Sequence, residues 1–491
     1  MHWKRALLPA VALTLAFAPA AFAAKPSAGG ATSTVNGFHT WNSDMVNMEN
    51  ITQDGNGVYV AVLDTGLVSN WSDYFPKARV RSDLGIGFDQ SVNFNATADP
   101  CRVDGVEVGG VRTTTFIGST SSSHGTHVTS TIIGYNYRSN TDAAQGYSIP
   151  AIQVRGIAPN ATIIPVKVLT DYQLPSMPQC DDPDVAQGLK VNFGTDAMIA
   201  AGIDYVTSLA QGTLAGSRIV INMSLGGDVL SAIEKTALDN AIAAGVIVVA
   251  AAGNEGTLGM HFPGAYAPVI SAGCVGWVDE WTDHPGDAAA GNVPVEASHR
   301  YRMFWLKNWF GDNAGQAGSG ALDLAPPLYE DSGNVPDPTN ARDIYVCDFS
   351  SRSLNADQDL DVLAPGSWVR GPFGGDPGFN HLPWWANGVG DLLGQISGNF
   401  FYVGGTSMAT PHVASAAALL LEKDPTLTQS EIESILQDTA LRLSAGSRQI
   451  WDFFDDDADN NFVPAFDTIS WGSDAVGSGV LQLDAALNSL P

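Results

Sequence analysis

Val58-Tyr59-Val60-Ala61-Val62-Leu63-Asp64-Thr65-Gly66 begins as an unbroken apolar run and stops at a carboxylate and a turn. A strand with one wet face alternates apolar and polar residues, whereas a strand covered on both faces does not. Asp64 is therefore expected at the carboxyl end of a strand buried between two layers.

The same pattern recurs in Ile163 to Leu169, Ile219 to Met223, Val246 to Ala251 and Val269 to Ala272. Between these runs lie helical periodicities. Ile199, Ile203, Val206 and Leu209 recur at spacings of three and four, and Ser231 to Ala244 closes at Gly245. Alternating strand and helix predict an α/β domain with a largely parallel sheet, whose ligand site lies beyond the carboxyl ends of the strands. Two stretches break the rhythm: Trp277 to Tyr345, rich in Gly, Pro, Trp and Asp, and Arg370 to Asn399, with the pair Trp384-Trp385. They read as surface insertions, near 277–345 and 370–399, within one domain spanning 41–491.

The chain has 491 residues, 45% of them hydrophobic and 15% charged, a composition that supports a globular core. Its 51 Asp+Glu against 23 Lys+Arg give a formal charge of -28, which repels nucleic acid and acidic lipid surfaces. Lys4 and Arg5 precede the apolar run Ala6 to Ala20, and Ala21-Phe22-Ala23 supplies small residues for cleavage. Residues 1–23 thus read as a signal peptide, and the chain as secreted to an extracellular or periplasmic space, with no membrane attachment after cleavage. The competing reading is a membrane anchor, but Pro9 and Pro19 interrupt the run. Residues 24–40 are rich in Ala and Ser and read as a flexible mature N-terminus. Cys101, Cys180, Cys274 and Cys347 lack zinc-type spacing, and disulfides are expected on export. Of the three pairings, Cys101 with Cys180 and Cys274 with Cys347 is favoured, because the second pair flanks an irregular stretch that it could staple.

Asp64-Thr65-Gly66 taken alone is ordinary turn chemistry. An aspartic protease would need a second such motif, and Asp331-Ser332-Gly333 offers one, but in a polar loop with no apolar strand before it. His124-Gly125-Thr126-His127-Val128 opens a helical pattern running through Ile132 and Ile133, which puts His124 in the first turn. Histidines at i and i+3 could hold a metal, yet no further ligand follows at a suitable spacing. A general base at a helix start fits better, with Gly125 leaving room for close approach. Ser407 lies in Gly404-Gly405-Thr406-Ser407-Met408-Ala409-Thr410-Pro411-His412, ahead of the helical run Val413 to Leu421. A serine there is often only a helix cap. Ala409 excludes the G-x-S-x-G elbow of α/β-hydrolases.

Taken together, Asp64, His124 and Ser407 stand in the chain order of one class of serine proteases. The three blocks just quoted resemble those of subtilisin-like serine proteases, the subtilases. Gly156-Ile157-Ala158-Pro159, Asn222-Met223-Ser224-Leu225-Gly226-Gly227 and Ala251-Ala252-Gly253-Asn254-Glu255-Gly256 are similar as well. The resemblance implies a three-layer subtilisin-like fold, with a largely parallel central sheet flanked by helices. It also implies an endopeptidase working through an acyl-enzyme on protein or peptide substrates, with no cofactor for catalysis; a monomer is expected. Ser407 would attack, His124 would move the proton and Asp64 would orient the histidine. Asn254 and the Ser407 N–H would bind the oxyanion, and Ser224, Leu225 and Gly226 would line the substrate groove.

Structural calcium is common in that family. Asp455, Asp457 and Asp459 begin like a calcium loop, although Asn460 stands where Gly is expected and no closing Glu follows. The 40 residues from Ala24 to Asp64 (64 minus 24) are too few for the pro-segment that family members commonly carry. A different class of function, a non-catalytic binding protein on the same scaffold, would use the aromatic insertions as its recognition surface.

Overall fold

The computed structural model describes residues 31–278, 340–373, 400–452 and 465–491, apart from 38, 49–50, 97–102, 119–121, 138–139, 143–146, 150–151 and 174–189. Residues 58–64 form strand β1 (Val58–Asp64), and its side chains divide between two cores. Val58, Val60 and Val62 join one core, while Ala61 and Leu63 join the other. Neither face is left wet, which is the physical meaning of the unbroken apolar run.

The remaining strands of the central sheet are β2 (Ile86–Ala96), β3 (Val103–Thr114), β4 (Thr162–Lys167), β5 (Arg218–Met223), β6 (Ile247–Ala251), β7 (Ile270–Trp277), β8 (Ile344–Val346) and β9 (Val362–Pro365). Their order is β8-β7-β6-β5-β1-β4-β2-β3, with β9 also paired to β7. All pairs are parallel except β2 with β3 and β7 with β8. Each apolar run singled out above becomes one of these strands. The β2–β3 hairpin was not expected from the sequence, because its residues alternate with glycine and polar groups at an exposed sheet edge.

Helices cover both faces. These are α1 (Trp41–Met45), α2 (Ser123–Ile133), α3 (Asp196–Gln211), α4 (Ala232–Ala243), α5 (Thr406–Lys423), α6 (Gln429–Thr439) and α7 (Leu483–Asn488). α3 starts where Thr195 accepts from Met198 N, and α4 where Ser231 accepts from Glu234 N. Both pack on the core that holds Ala61 and Leu63, whereas α2 and α5 pack on the other. The sheet with its two helical layers is the three-layer α/β arrangement. β1 lies between β4 and β5; the α2 crossover takes one face and the α3 crossover the opposite one. Crossovers that part in this way open a crevice at the carboxyl ends of the strands. Asp64 ends β1 there, and the segments after β5 and β6 run out beside it.

Within 24–40, the described residues make these hydrogen bonds with the body: Ala31 N donates to Ser72 O at 3.3 Å, Thr34 Oγ1 to Ile133 O at 2.5 Å, and Arg155 to Val35 O. Gly37 allows the close approach, since a Cβ there would sit 2.6 Å from Arg155 N. Residues 1–23, Cys101, Cys180, Asp331 and the interiors of both insertions lie outside the described residues. The ends of the first insertion are held together by β7 and β8 and by the disulfide Cys274–Cys347, whose Cα atoms are 5.4 Å apart across a separation of 73 residues. Closing a loop of that length contributes about 4 kcal/mol in chain-entropy terms. Among the described residues no helix is long and apolar enough to cross a membrane.

Candidate active site

The end of β1 and the start of α2 meet through hydrogen bonds. Asp64 is fully buried, and its carboxylate accepts from Thr65 N at 2.6 Å and from His124 Nδ1 at 2.8 and 3.0 Å. Thr65 Oγ1 accepts from Gly125 N at 2.9 Å, and Ser122 Oγ donates to Thr65 O at 2.8 Å. Gly125 is needed at this junction, because a Cβ there would lie 2.5 Å from Gly66 O and 3.1 Å from Asp64 Oδ1. The His124 side chain is 26% exposed. Burial opposes charging of its ring, but the charge of Asp64 and its hydrogen bond outweigh that, so His124 titrates above the ordinary imidazole value. With Nδ1 on Asp64, Nε2 is the nitrogen left for chemistry.

His127 serves a different partner. It is buried and its Nε2 donates to Val369 O at 2.9 Å, so it fastens α2 to the strand Val369–Pro372. The two histidines thus make separate contacts instead of converging on one ion.

Ser407 enters from α5, which packs on α2. Its Oγ donates to Ser224 O at 3.2 Å, and Ser224 Oγ donates to Ser407 O at 2.8 Å. Pro411, inside α5, explains why that carbonyl is available: proline has no N–H to give to the carbonyl four residues earlier. Asn222 Nδ2 completes the chain by donating to Ser224 Oγ at 3.1 Å. Among the described residues no hydrogen bond joins Ser407 Oγ to His124.

Asn254 follows β6 and is oriented by the residue before the serine. Its Oδ1 accepts from Thr406 N at 2.9 Å and Thr406 Oγ1 at 3.0 Å, which leaves the amide nitrogen to point elsewhere. The Ser407 N–H is one of those that the first turn of a helix leaves without an intrahelical acceptor. Both donors border one small space: a Cβ built on Gly405 would be 3.6 Å from Ser407 N and 3.7 Å from Asn254 Nδ2. Two N–H donors near one space next to the serine, together with an imidazole backed by a carboxylate, are a set of groups suited to acyl transfer.

Of the groove residues expected from the sequence, Ser224 is buried and tied to Ser407, Leu225 is half-buried, and Gly226 is exposed. Thr65, Asn222 and Thr406 hold the arrangement without having been singled out beforehand. All three sat within quoted motifs, but the partners of Thr65 and Thr406 come from distant segments.

The expected calcium residues Asp455, Asp457 and Asp459 lie outside the described residues. Among those described, carboxylate oxygens of Asp359, Asp361 and Glu433 lie within 4.8 Å of one another. Asp361 already accepts from Ser271 N at 2.7 Å, Ser271 Oγ at 2.9 Å and Gln437 Nε2 at 2.5 Å. Burial pushes Asp361 up to about 6, and burial together with the Asp361 charge pushes Glu433 up to about 7.

The chain is similar to known proteins over most of its length. The model of the Subtilase family matches residues 55–468. A subtilisin of Bacillus pumilus is 27% identical over 395 residues, covering 80% of this chain and 86% of that protein. Subtilisin E of Bacillus subtilis (strain 168) is 27% identical over 393 residues, covering 79% of this chain and 62% of that protein, less than two thirds of its length. The solved structure of sphericase aligns over 82% of this chain and 89% of its own, at 22% identity and a TM-score of 0.45.

Proposed function

This chain belongs to the subtilase family of serine endopeptidases, and from that membership we propose that it is a secreted, monomeric endopeptidase whose working residues are Asp64, His124, Ser407 and Asn254. The family's chemistry is an acyl-enzyme route needing no catalytic cofactor. In the proposed assignment, Ser407 Oγ turns from Ser224 O towards His124 Nε2 and gives it the proton as the bond to the peptide carbonyl carbon forms. The carbonyl oxygen gains the negative charge and takes hydrogen bonds from Asn254 Nδ2 and Ser407 N. The C–N bond then breaks, and His124 passes its proton to the departing amine. Water, deprotonated by the same imidazole, releases the acyl group. Asp64 keeps the Nδ1–H tautomer in place and balances the imidazolium charge without taking the proton.

The observation that carries this reading is a pair of junctions: the end of β1 is bonded to the start of α2, and the segments after β5 and β6 are both bonded to the start of α5. The support is the hydrogen bonds of Asp64 with His124, Ser224 with Ser407 and Asn254 with Thr406. Residues 1–23 are proposed as the export signal, and the mature terminus is readable by mass spectrometry. The test of the whole is Ser407→Ala. It should abolish casein hydrolysis and labelling by a fluorophosphonate while leaving the thermal melt in place. Full activity in that variant would remove Ser407 from its role.

A further inference from the structure

One more side chain lies between the loops that carry Ser224 and Asn254. His261 N donates to Ala252 O at 2.8 Å, and Phe262 exchanges two backbone hydrogen bonds with Gly227, each 2.8 Å. Segment 261–262 is thereby tied to both loops bordering the site, the one after β5 and the one after β6. Between those loops its imidazole fills the gap. A Cβ built on Gly226 would lie 2.9 Å from His261 Cβ, and a Cβ built on Gly253 would lie 3.0 Å from His261 Cγ. A glycine from each loop therefore borders the base of the same side chain. The ring is anchored at its far end, where Nε2 is 3.1 Å from Asp228 Oδ1; the His261 side chain is 20% exposed and that of Asp228 90%.

We propose that His261, held by Asp228, closes the groove between Gly226 and Gly253, so that the peptide residue on the amino side of the scissile bond must carry a small side chain such as that of alanine or serine. This rests on the protease reading of the site and extends it by naming the substrate class. The backbone of 261–262 cannot withdraw without losing three hydrogen bonds. A bulky side chain must therefore displace the ring from Asp228 and from contact with both glycines. Apolar pockets discriminate by about tenfold or more for a single methylene, and a benzyl group adds far more volume than that.

The test uses peptides that differ only at that residue, alanine, leucine or phenylalanine. kcat/KM is measured for the wild type, His261→Ala and Asp228→Asn, with fluorophosphonate labelling to count assembled sites. The wild type should prefer alanine to phenylalanine by about tenfold or more. His261→Ala should lower that ratio at least tenfold, and Asp228→Asn should lower it by a smaller factor. Should His261→Ala not label, the exposed Asp228 substitution decides. A wild type that cleaves the phenylalanine peptide as readily as the alanine one overturns the proposal, as does a ratio unchanged in the labelled variants. A wild type that neither labels nor cleaves any peptide overturns the protease reading and this inference with it; labelling with no size preference overturns this inference alone.

Discussion

Asn254 reaches the site through the partners of its own amide. Thr406 donates twice to its Oδ1, and this leaves Nδ2 as the end able to donate to a substrate. The proposed oxyanion contact forms only as the carbonyl oxygen charges, so its removal should cost turnover rather than binding. Asn254→Ala is expected to lower kcat about a hundred- to a thousandfold, the loss measured when such a donor is removed from subtilisin, with KM changed far less. Steady-state kinetics on one peptide checks this, and an equal loss in KM would contradict it. His124 makes a second prediction. Catalysis needs the neutral ring, and Asp64 holds the ring's titration above 6.5. The acid limb of the kcat/KM profile should therefore fall with a midpoint above that value, and Asp64→Asn should move the midpoint down. A midpoint below 6.5 in the wild type would contradict the Asp64–His124 coupling.

At the junction of β1 and α2, two elements approach so closely that only hydrogen fits at position 125. Gly125→Ala sets a methyl group against Gly66 O and Asp64 Oδ1. It is expected to destabilise the fold by about 1–3 kcal/mol, the usual cost of overpacking, and to lower kcat by shifting Asp64 relative to His124. A thermal melt and an assay on the same sample check both, and an unchanged variant would deny the close approach its importance. This junction was legible in the sequence, because β1 and β4 to β7 are covered on both faces and so carry unbroken apolar runs. The β2–β3 hairpin was not legible, since its outer edge meets water and its pattern is diluted by glycine and polar residues. The contacts of segment 31–37 were not legible for a related reason. Small and hydroxylated residues read as loose chain, yet here Thr34 caps a helix-end carbonyl and Gly37 lets the backbone lie flat. Contacts such as His261 with Asp228 join loops that only the fold makes neighbours, so no local pattern announces them.

Across the whole molecule, pH acts through buried groups remote from the chemistry. His412 lies within α5, fully buried; its Nδ1 donates to Met408 O at 2.8 Å and its Nε2 accepts from Asn42 Nδ2 at 2.9 Å, tying α1 to the helix that carries Ser407. Those contacts suit the neutral ring, and burial pushes His412 down to about 4 from 6.5. Between these values the unfolded chain binds the extra proton, so the stability contributed by the neutral ring is complete above 6.5 and lost as pH falls towards 4. The full difference is about 3 kcal/mol. Asp361 and Glu433, raised to about 6 and about 7, act with the opposite sign, favouring the fold as pH falls. The His412 effect is therefore to be read against a variant. Relative to His412→Gln, the wild type should lose about 3 kcal/mol between neutral pH and pH 4 in denaturant melts, and parallel curves would rule the effect out. The acid that opens the α1 clasp also protonates His124 and silences the enzyme, so loosened molecules survive while the acid lasts. On neutralisation, molecules that re-close first become able to cut those still open. Recovered activity is then a race between a solitary event and a collision, and dilute samples should come back more completely than concentrated ones.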